Sequence, residues 1–299
     1  MNIVNPNNNS LNSKYYNITL FDEINAESIW IRSLLFFHDN KLVLSTKNEA
    51  NKNFLFINHV NNGILLSSSL TACLLDNSTI VTNTKGENIC IGDHIIYKAH
   101  DQMVSKVIIL PNNRIASCSL DRIIKIWNSV PPYSDTPLKV LKGHRGYVIS
   151  LIYIKERDIL ISGSDDKSLR FWNMTTYQCV SIIKEVSCCD VNVFFQMDSN
   201  RIIIGERNQI TILNVDKCSI ENTIVDKELD YVSCFCMLRD NRTILCGTFT
   251  GRFCFYDIET NKHMITEPYH KSSIHCLLVV DENTFISSST DLTIKIWRY

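Results

Sequence analysis

Serine, histidine and aspartate, the parts of a nucleophilic hydrolase, occur together three times in this 299-residue chain, each time with a tryptophan close behind. The first set is His100, Ser117, Asp121 and Trp127; the second is His144, Ser162, Asp166 and Trp172; the third is His270, Ser287, Asp291 and Trp297. A serine becomes a nucleophile when an imidazole takes its proton, a carboxylate orients the ring and an oxyanion hole stands alongside. The spacing argues against that chemistry. From His to Asp the intervals are 21, 22 and 21 residues, and from His to Trp they are 27, 28 and 27. An active site needs one exposed nucleophile, whereas four residue types held in register three times over are the mark of a structural repeat. No catalytic residue is assigned.

Other chemistries lack residues to carry them. There is no GxxxxGK phosphate loop, no GxGxxG fingerprint and no HExxH zinc site. His38, His263 and His275 stand singly, and nothing in the sequence places Asp190 beside Glu206 as an acid pair. Twelve cysteines include the close pairs Cys188-Cys189 and Cys234-x-Cys236 but no CxxC. Eight of them (Cys73, Cys90, Cys118, Cys234, Cys236, Cys246, Cys254 and Cys276) lie in apolar, strand-like runs, where Cys acts as a small buried hydrophobe. Free thiols and a reducing compartment follow, with no metal and no cofactor expected. A net charge of −1 and a pI near 6.7 give no overall field that would gather nucleic acid or an anionic membrane. The opening MNIVNPNNNSLNSKYY lacks the basic and apolar regions of a signal peptide. No apolar run nears the roughly 20 residues that span a bilayer. The expectation is a chain without membrane insertion, cytoplasmic or nuclear.

The elements that position the three sets are strands. SCSLDRIIKIW, SGSDDKSLRFW and SSSTDLTIKIW align without a gap, each two strands around a tight turn. Alternation such as Ile124-Lys125-Ile126-Trp127 predicts a strand with one buried face. Two further apolar runs, Val148 to Ile154 and Ile274 to Val280, follow His144 and His270, and helical periodicity is absent. Degenerate units keep a similar spacing. Tyr256 stands 41 residues before Trp297, Leu213 stands 43 before Tyr256, and Gly92 and Ile57 continue the series at steps of 35 before Trp127. Closing strands number seven.

These features resemble the WD-repeat family over roughly residues 15–299. The marks are Gly143-His144 and a relaxed Trp-Asp dipeptide at Trp127-Asn128, Trp172-Asn173 and Tyr256-Asp257. Strict Trp-Asp never occurs, and Ala99 and Tyr269 replace the Gly before the other two repeat histidines. The resemblance implies an all-β fold, a seven-bladed β-propeller of four-stranded antiparallel blades. It also implies that each His-Ser-Asp-Trp set is a structural hydrogen-bond chain. The last repeat ends at Tyr299 without a fourth strand, so Tyr15 to Asp22 is expected to fill that place and close the ring. Residues 1–14 are then expected to form a tail, and residues 15–299 one propeller. Pro131 to Pro137 reads as an exposed loop within a blade.

In the family so resembled, partners meet the narrow upper face, at the third residue after each repeat His and just before each turn Asp. Here those places hold Met103, Tyr147 and Ser273, then Leu120, Asp165 and Thr290. Aligning the degenerate blades adds Trp30, Ser69, Asp190 and Tyr231, and Glu206 and Phe249. Trp30, Met103, Tyr147, Tyr231 and Phe249 are the side-chain types that dominate interface hot spots, Asp165 adds a carboxylate, and Arg145 is placed to pair with an acidic group. The expected function is a non-enzymatic scaffold, a monomeric propeller that binds a protein or peptide on this face, with no nucleic acid. A second reading is an enzyme or small-molecule binder using the central channel, which polar residues lining that channel would favour. A third, within the scaffold class, is a substrate receptor of a ubiquitin ligase. The Trp-Asp-x-Arg box of such receptors is absent, since Val130 and Thr175 stand where its Arg would be.

Overall fold

The structure, a computed structural model, describes residues 19–25, 30–36, 42–47, 54–57, 69–74, 80–84, 86–92, 94–184, 186 and 193–299, the first five stretches as backbone only. Strand β1 is Thr19–Asn25. Blade 1 follows with β2 (Trp30–Phe36), β3 (Leu42–Lys47) and β4 (Phe54–Ile57), and blade 2 with β5 (Ser69–Leu74), β6 (Ile80–Thr84), β7 (Ile89–Ile91) and β8 (His94–Ile96). Blade 3 comprises β9 (Val104–Leu110), β10 (Arg114–Ser119), β11 (Ile124–Asn128) and β12 (Lys139–Leu141). Blade 4 comprises β13 (Val148–Ile154), β14 (Ile159–Ser164), β15 (Ser168–Asn173) and β16 (Cys179–Lys184). Blade 5 has β17 (Val193–Gln196), β18 (Arg201–Glu206), β19 (Gln209–Asn214) and β20 (Ser219–Val225), and blade 6 has β21 (Val232–Met237), β22 (Thr243–Thr248), β23 (Phe253–Asp257) and β24 (Lys262–Ile265). Blade 7 is β25 (Ile274–Val279), β26 (Thr284–Ser289) and β27 (Thr293–Arg298), with β1 as its outer strand. Every strand pairing is antiparallel, and all join sequence neighbours except that of β1 with β27. Each innermost strand touches the next, from β2 through β25 and back to β2, so seven blades form a closed ring.

The hydrophobic core lies between the blades. Ile124 and Ile126 of blade 3 pack with Val148, Leu151, Leu160 and Trp172 of blade 4, while Trp127 of the same strand packs with Val81, Ile89 and Ile91 of blade 2. Expectation and structure part here. The alternating run before each Trp is buried on both faces, not one. Lys125 tolerates the setting because its Nζ donates to the Ala99 carbonyl at 2.7 Å, and Lys295 does the same to Tyr269 at 3.0 Å. A long stem in apolar surroundings with its ammonium at a polar exit is the usual solution.

Two further details differ from the sequence reading. Ile91 opposes Val81 as Trp127 opposes Ile115, and Phe56 opposes Val43 in the same way. The Trp-equivalent places of blades 1 and 2 are therefore Phe56 and Ile91, one residue before those inferred from spacing, because short hairpins shift the count. Within the described residues the closing strand is Thr19–Asn25, in the expected place beside β27 and running past the expected end at Asp22. It pairs from Thr19↔Arg298 to Asn25↔Thr293, with a shift between Leu20 and Asp22. Tyr15 to Ile18 and the expected tail at residues 1–14 lie outside the described residues.

Glycine is needed where blades meet. In the β22–β23 turn Gly251 has φ +80°, and a Cβ there would stand 2.1 Å from the carbonyl oxygen of His270 in the next blade. That carbonyl-to-backbone approach is fixed by the Tyr269 and His270 amides, which donate to the Gly251 carbonyl at 2.9 and 3.1 Å.

Ring closure makes a prediction. Deleting residues 1–14 leaves β1 whole and should leave the melting temperature unchanged. Deleting residues 1–25 strips β27 of its partner and exposes a sheet edge, which should lower the melting temperature and give soluble aggregates in light scattering. A monomer of unchanged stability after the longer deletion would show that closure is not needed.

Candidate functional site

The repeated polar sets are assembled by strand register. Ser117, Ser162 and Ser287 lie in the middle of their blades' second strands, opposite Lys125, Arg170 and Lys295, and the turn that follows brings the aspartate back over the loop carrying the histidine. In each set the imidazole Nδ1 meets the carboxylate, at 2.8 Å for His100–Asp121, 3.0 Å for His144–Asp166 and 2.9 Å for His270–Asp291. The serine hydroxyl meets Nε2 at 2.7 Å in all three. The indole N–H of Trp127, Trp172 and Trp297 donates to the same serine oxygen at 2.8, 2.9 and 2.7 Å. With Nδ1–H donating to Asp, the chain runs from Trp, which donates to Ser, through Ser, which donates to Nε2. Each serine is completely buried, so no substrate carbonyl reaches its oxygen.

Electrostatics supports the same assignment. Burial alone would raise the aspartates, but the bonds they accept outweigh it. Ser168, the Arg145 amide and His144 hold the Asp166 carboxyl at about 2; His100 holds Asp121 low, and His270 with Thr293 holds Asp291 low. Burial pushes His144 down, only partly opposed by Asp166. Burial likewise pushes the Cys118 thiol up to about 12 and raises Cys234, Cys236 and Cys246. The nine described cysteines are free thiols. Among the described residues no group of His, Cys, Asp and Glu is placed to hold a metal ion, and no helix is long and apolar enough to cross a membrane.

The end at which each innermost strand begins is the upper end, and the turns carrying the aspartates lie there too. The two sets of positions inferred for it meet in pairs. The Leu120 amide donates to the Met103 carbonyl, Asp165 to Tyr147, Phe249 to Tyr231 and Thr290 to Ser273, at 2.9–3.1 Å. Met103, Tyr147 and Phe249 are exposed at 39%, 47% and 45%. Arg145 is exposed, and Tyr231 and Asp165 are half-buried. The Tyr231 and Phe249 rings pack at 5.3 Å, and the Arg207 guanidinium lies 5.2 Å from the Tyr231 centroid. That contact had no signal in the sequence, because it crosses from the blade 5 turn to blade 6. Also unforeseen are Ser105 and Ser233, whose hydroxyls donate to the Val148 and Ile274 carbonyls of the following blades. Glu206 is not displayed: it is buried, accepts from Thr211 and Gln209, and burial raises its pKa. Trp30 begins β2 and Ser69 begins β5; their side chains, and Asp190 altogether, lie outside the described residues.

A cavity of about 520 Å³ lies at the opposite end, between blades 3 and 4, where Arg114, Tyr153, Asp158, Met174 and Tyr177 line it. Its polar groups are engaged with one another: Arg114 donates to the Tyr177 hydroxyl at 2.7 Å and Tyr153 to Asp158 at 2.8 Å.

Residues 93–128, 135–173 and 262–298 match the family described as WD domain, G-beta repeat. The chain is 32% identical over 208 residues to THO complex subunit 3 of Arabidopsis thaliana, covering 67% of this chain and 64% of that protein. It is 23% identical over 241 residues to the p21-activated protein kinase-interacting protein 1-like of Danio rerio, covering 78% of this chain and again 64% of the relative. The chain thus spans less than two thirds of either relative's length. A chain in the crystal structure of the mitotic checkpoint complex superposes with a TM-score of 0.78 at 15% identity, over 99% of both chains.

The polar sets yield two expected outcomes. Asp166→Ala leaves His144 and the Arg145 amide without their acceptor and should cost about 1–3 kcal/mol in denaturant unfolding. Because the folded carboxyls titrate below their unfolded value of about 3.9, their stabilisation is complete above that pH and fades as pH falls toward the folded value of about 2 for Asp166. Urea unfolding at steps through this window should show the loss, and Asp166→Asn should flatten it.

Proposed function

Because the chain belongs to the WD-repeat β-propeller family, we propose that it is a non-enzymatic scaffold which binds a protein or peptide partner on its upper face. WD-repeat relatives are typically interaction scaffolds, and the family is generally non-catalytic. The observation that supports the face is the exposure of Met103 and Tyr147, at equivalent places in blades 3 and 4, and of Phe249, which stands beside the corresponding Tyr231 in blade 6. Tyr, Met and Phe at the centre of a contact contribute much of its affinity. The names of two relatives, a complex subunit and an interacting protein, are consonant with this reading. The free thiols suit a reducing compartment, cytoplasmic or nuclear.

The test is a Tyr147→Ala, Tyr231→Ala double variant. Neither residue belongs to a His-Ser-Asp-Trp set, and the Tyr231 ring packs on Phe249 and Arg207, so the melting temperature should fall by no more than that contact contributes. Affinity for a partner captured by wild type should fall by about 2–4 kcal/mol, as for truncated hot spots. An unchanged set of captured partners at matched expression would move the site elsewhere on the propeller.

A further inference from the structure

We propose that Thr136 is a phosphorylation site, read by a protein kinase that selects proline just after the acceptor and a basic residue at the third place after it. The site lies away from the upper face and does not depend on the reading above. Its segment is Thr136-Pro137-Leu138-Lys139, and of the six prolines in the chain Pro137 alone follows a serine or threonine. Proline lacks a backbone N–H. A kinase cleft that offers this position no hydrogen-bond acceptor penalises every other residue, whose N–H would stay unmet on binding. Lys139 adds a cation for an anionic group of the kinase, and opposite charge across a contact fixes its register.

The fold presents this segment to solvent. The β11–β12 connection runs over ten residues (129–138), against five (174–178), four (215–218) and four (258–261) at the same place in blades 4, 5 and 6. Its first half is tied down. Asn128 Nδ2 donates to the Val130 and Pro132 carbonyls at 2.7 and 3.2 Å, and the Tyr133 ring stacks on His94 of blade 2 at 4.4 Å. Its second half stands clear: Ser134, Asp135, Thr136, Leu138 and Lys139 are exposed. The Thr136 amide donates to Ser134 Oγ at 3.1 Å, and the two hydroxyls lie 2.8 Å apart. Among the described residues the Thr136 side chain bonds to no other element. Lys139 opens β12, an outermost strand of three residues that pairs with β11 alone among the described strands, and its ammonium rests 5.5 Å from the Tyr177 ring centroid. A short edge strand and an exposed cation–π contact both open at little cost.

ATP is the co-substrate. Thr136 Oγ1 attacks the γ-phosphorus, the bond from that phosphorus to the β–γ bridging oxygen breaks, ADP leaves, and the hydroxyl proton passes to a base of the kinase. The phosphothreonine carries about −1.5 to −2 charges near pH 7. It stands next to Asp135, whose carboxylate lies 3.8 Å from His94, on the connection that leaves β11 at the end opposite the upper face. Because the Thr136 side chain bonds to no strand, the new charge changes the surface of this corner and leaves the blade intact.

The experiment incubates the whole folded chain with magnesium, ATP and a cyclin-dependent protein kinase. Phosphate is counted by intact mass and placed by peptide fragmentation. Thr136→Ala, Ser134→Ala, Pro137→Ala and Lys139→Ala are treated alike, each first checked for a wild-type melting temperature. The expected result is one phosphate, on Thr136, absent from Thr136→Ala and retained in Ser134→Ala. The rate should fall by about tenfold or more in Pro137→Ala and by a smaller factor in Lys139→Ala. The phosphorylated chain should melt with the unmodified one. A chain that takes up no phosphate, a phosphate placed on another residue, or a Thr136 rate indifferent to Pro137→Ala and Lys139→Ala would overturn the assignment.

Discussion

A polar group taken out of water has to be paired, and the repeated His-Ser-Asp-Trp sets of this propeller meet that demand member by member. In blades 3, 4 and 7 the His-Ser-Asp-Trp chain satisfies every member in line, from indole to carboxylate. In blade 6 the corresponding interior is apolar: Leu229, Cys246 and Tyr256 share one cluster. In blade 5 Val186, Ile204 and Leu213 do so. That pattern follows from energetics, since one unsatisfied buried partner costs more than a pair contributes, whereas replacing all partners by apolar groups is nearly neutral.

Because the core lies between blades, no blade is stable on its own account. Trp127 belongs by bonding to blade 3 and by packing to blade 2, and Trp172 joins blade 4 to blade 3 in the same manner. Stability in such an array is a sum of nearest-neighbour interfaces, and an open array would end in two half-buried faces. The β1–β27 pairing converts the chain of interfaces into a ring in which each blade has two neighbours.

What the sequence made legible follows the same physics. The three polar sets could be read because hydrogen-bond geometry tolerates few residue types, so His, Ser, Asp and Trp recur at fixed spacing. Leu213 and Tyr256 were placed correctly from the spacing alone, but apolar positions accept many residues, and in the short blades 1 and 2 the count slipped by one, to Gly92 and Ile57. The burial of β11 on both faces could not be read from Ile124-Lys125-Ile126-Trp127, because Lys125 looks like a solvated residue until its carbonyl partner is known. Contacts between blades, such as Arg207 over Tyr231 and Ser105 to Val148, join residues without a local pattern. The upper-face positions were legible only as register. Exposure and charge separated Met103, Tyr147 and Phe249 from the buried Glu206.

The structural sets and the proposed binding residues are adjacent in sequence, and the adjacency has a consequence. The carboxylate that completes each set also accepts from the backbone amide after the histidine: Asp166 from Arg145 at 2.8 Å, Asp291 from Lys271 at 2.8 Å and Asp121 from Asp101 at 3.1 Å. Its second oxygen fixes the turn, through the Ser168, Thr293 and Ile123 amides. The loop that displays Arg145 and Tyr147 and the turn that displays Lys167 are therefore held by one buried anion. A loop ordered before it meets its partner loses less entropy on binding, so the group that stabilises the blade also prepares its surface. Blades 5 and 6, with apolar interiors, lack this anchor. Their upper-face residues are held instead by ring packing, Tyr231 between Phe249 and Arg207, which leaves blades 3, 4 and 7 as the sectors of the face whose backbone is fixed by polar bonds to a carboxylate.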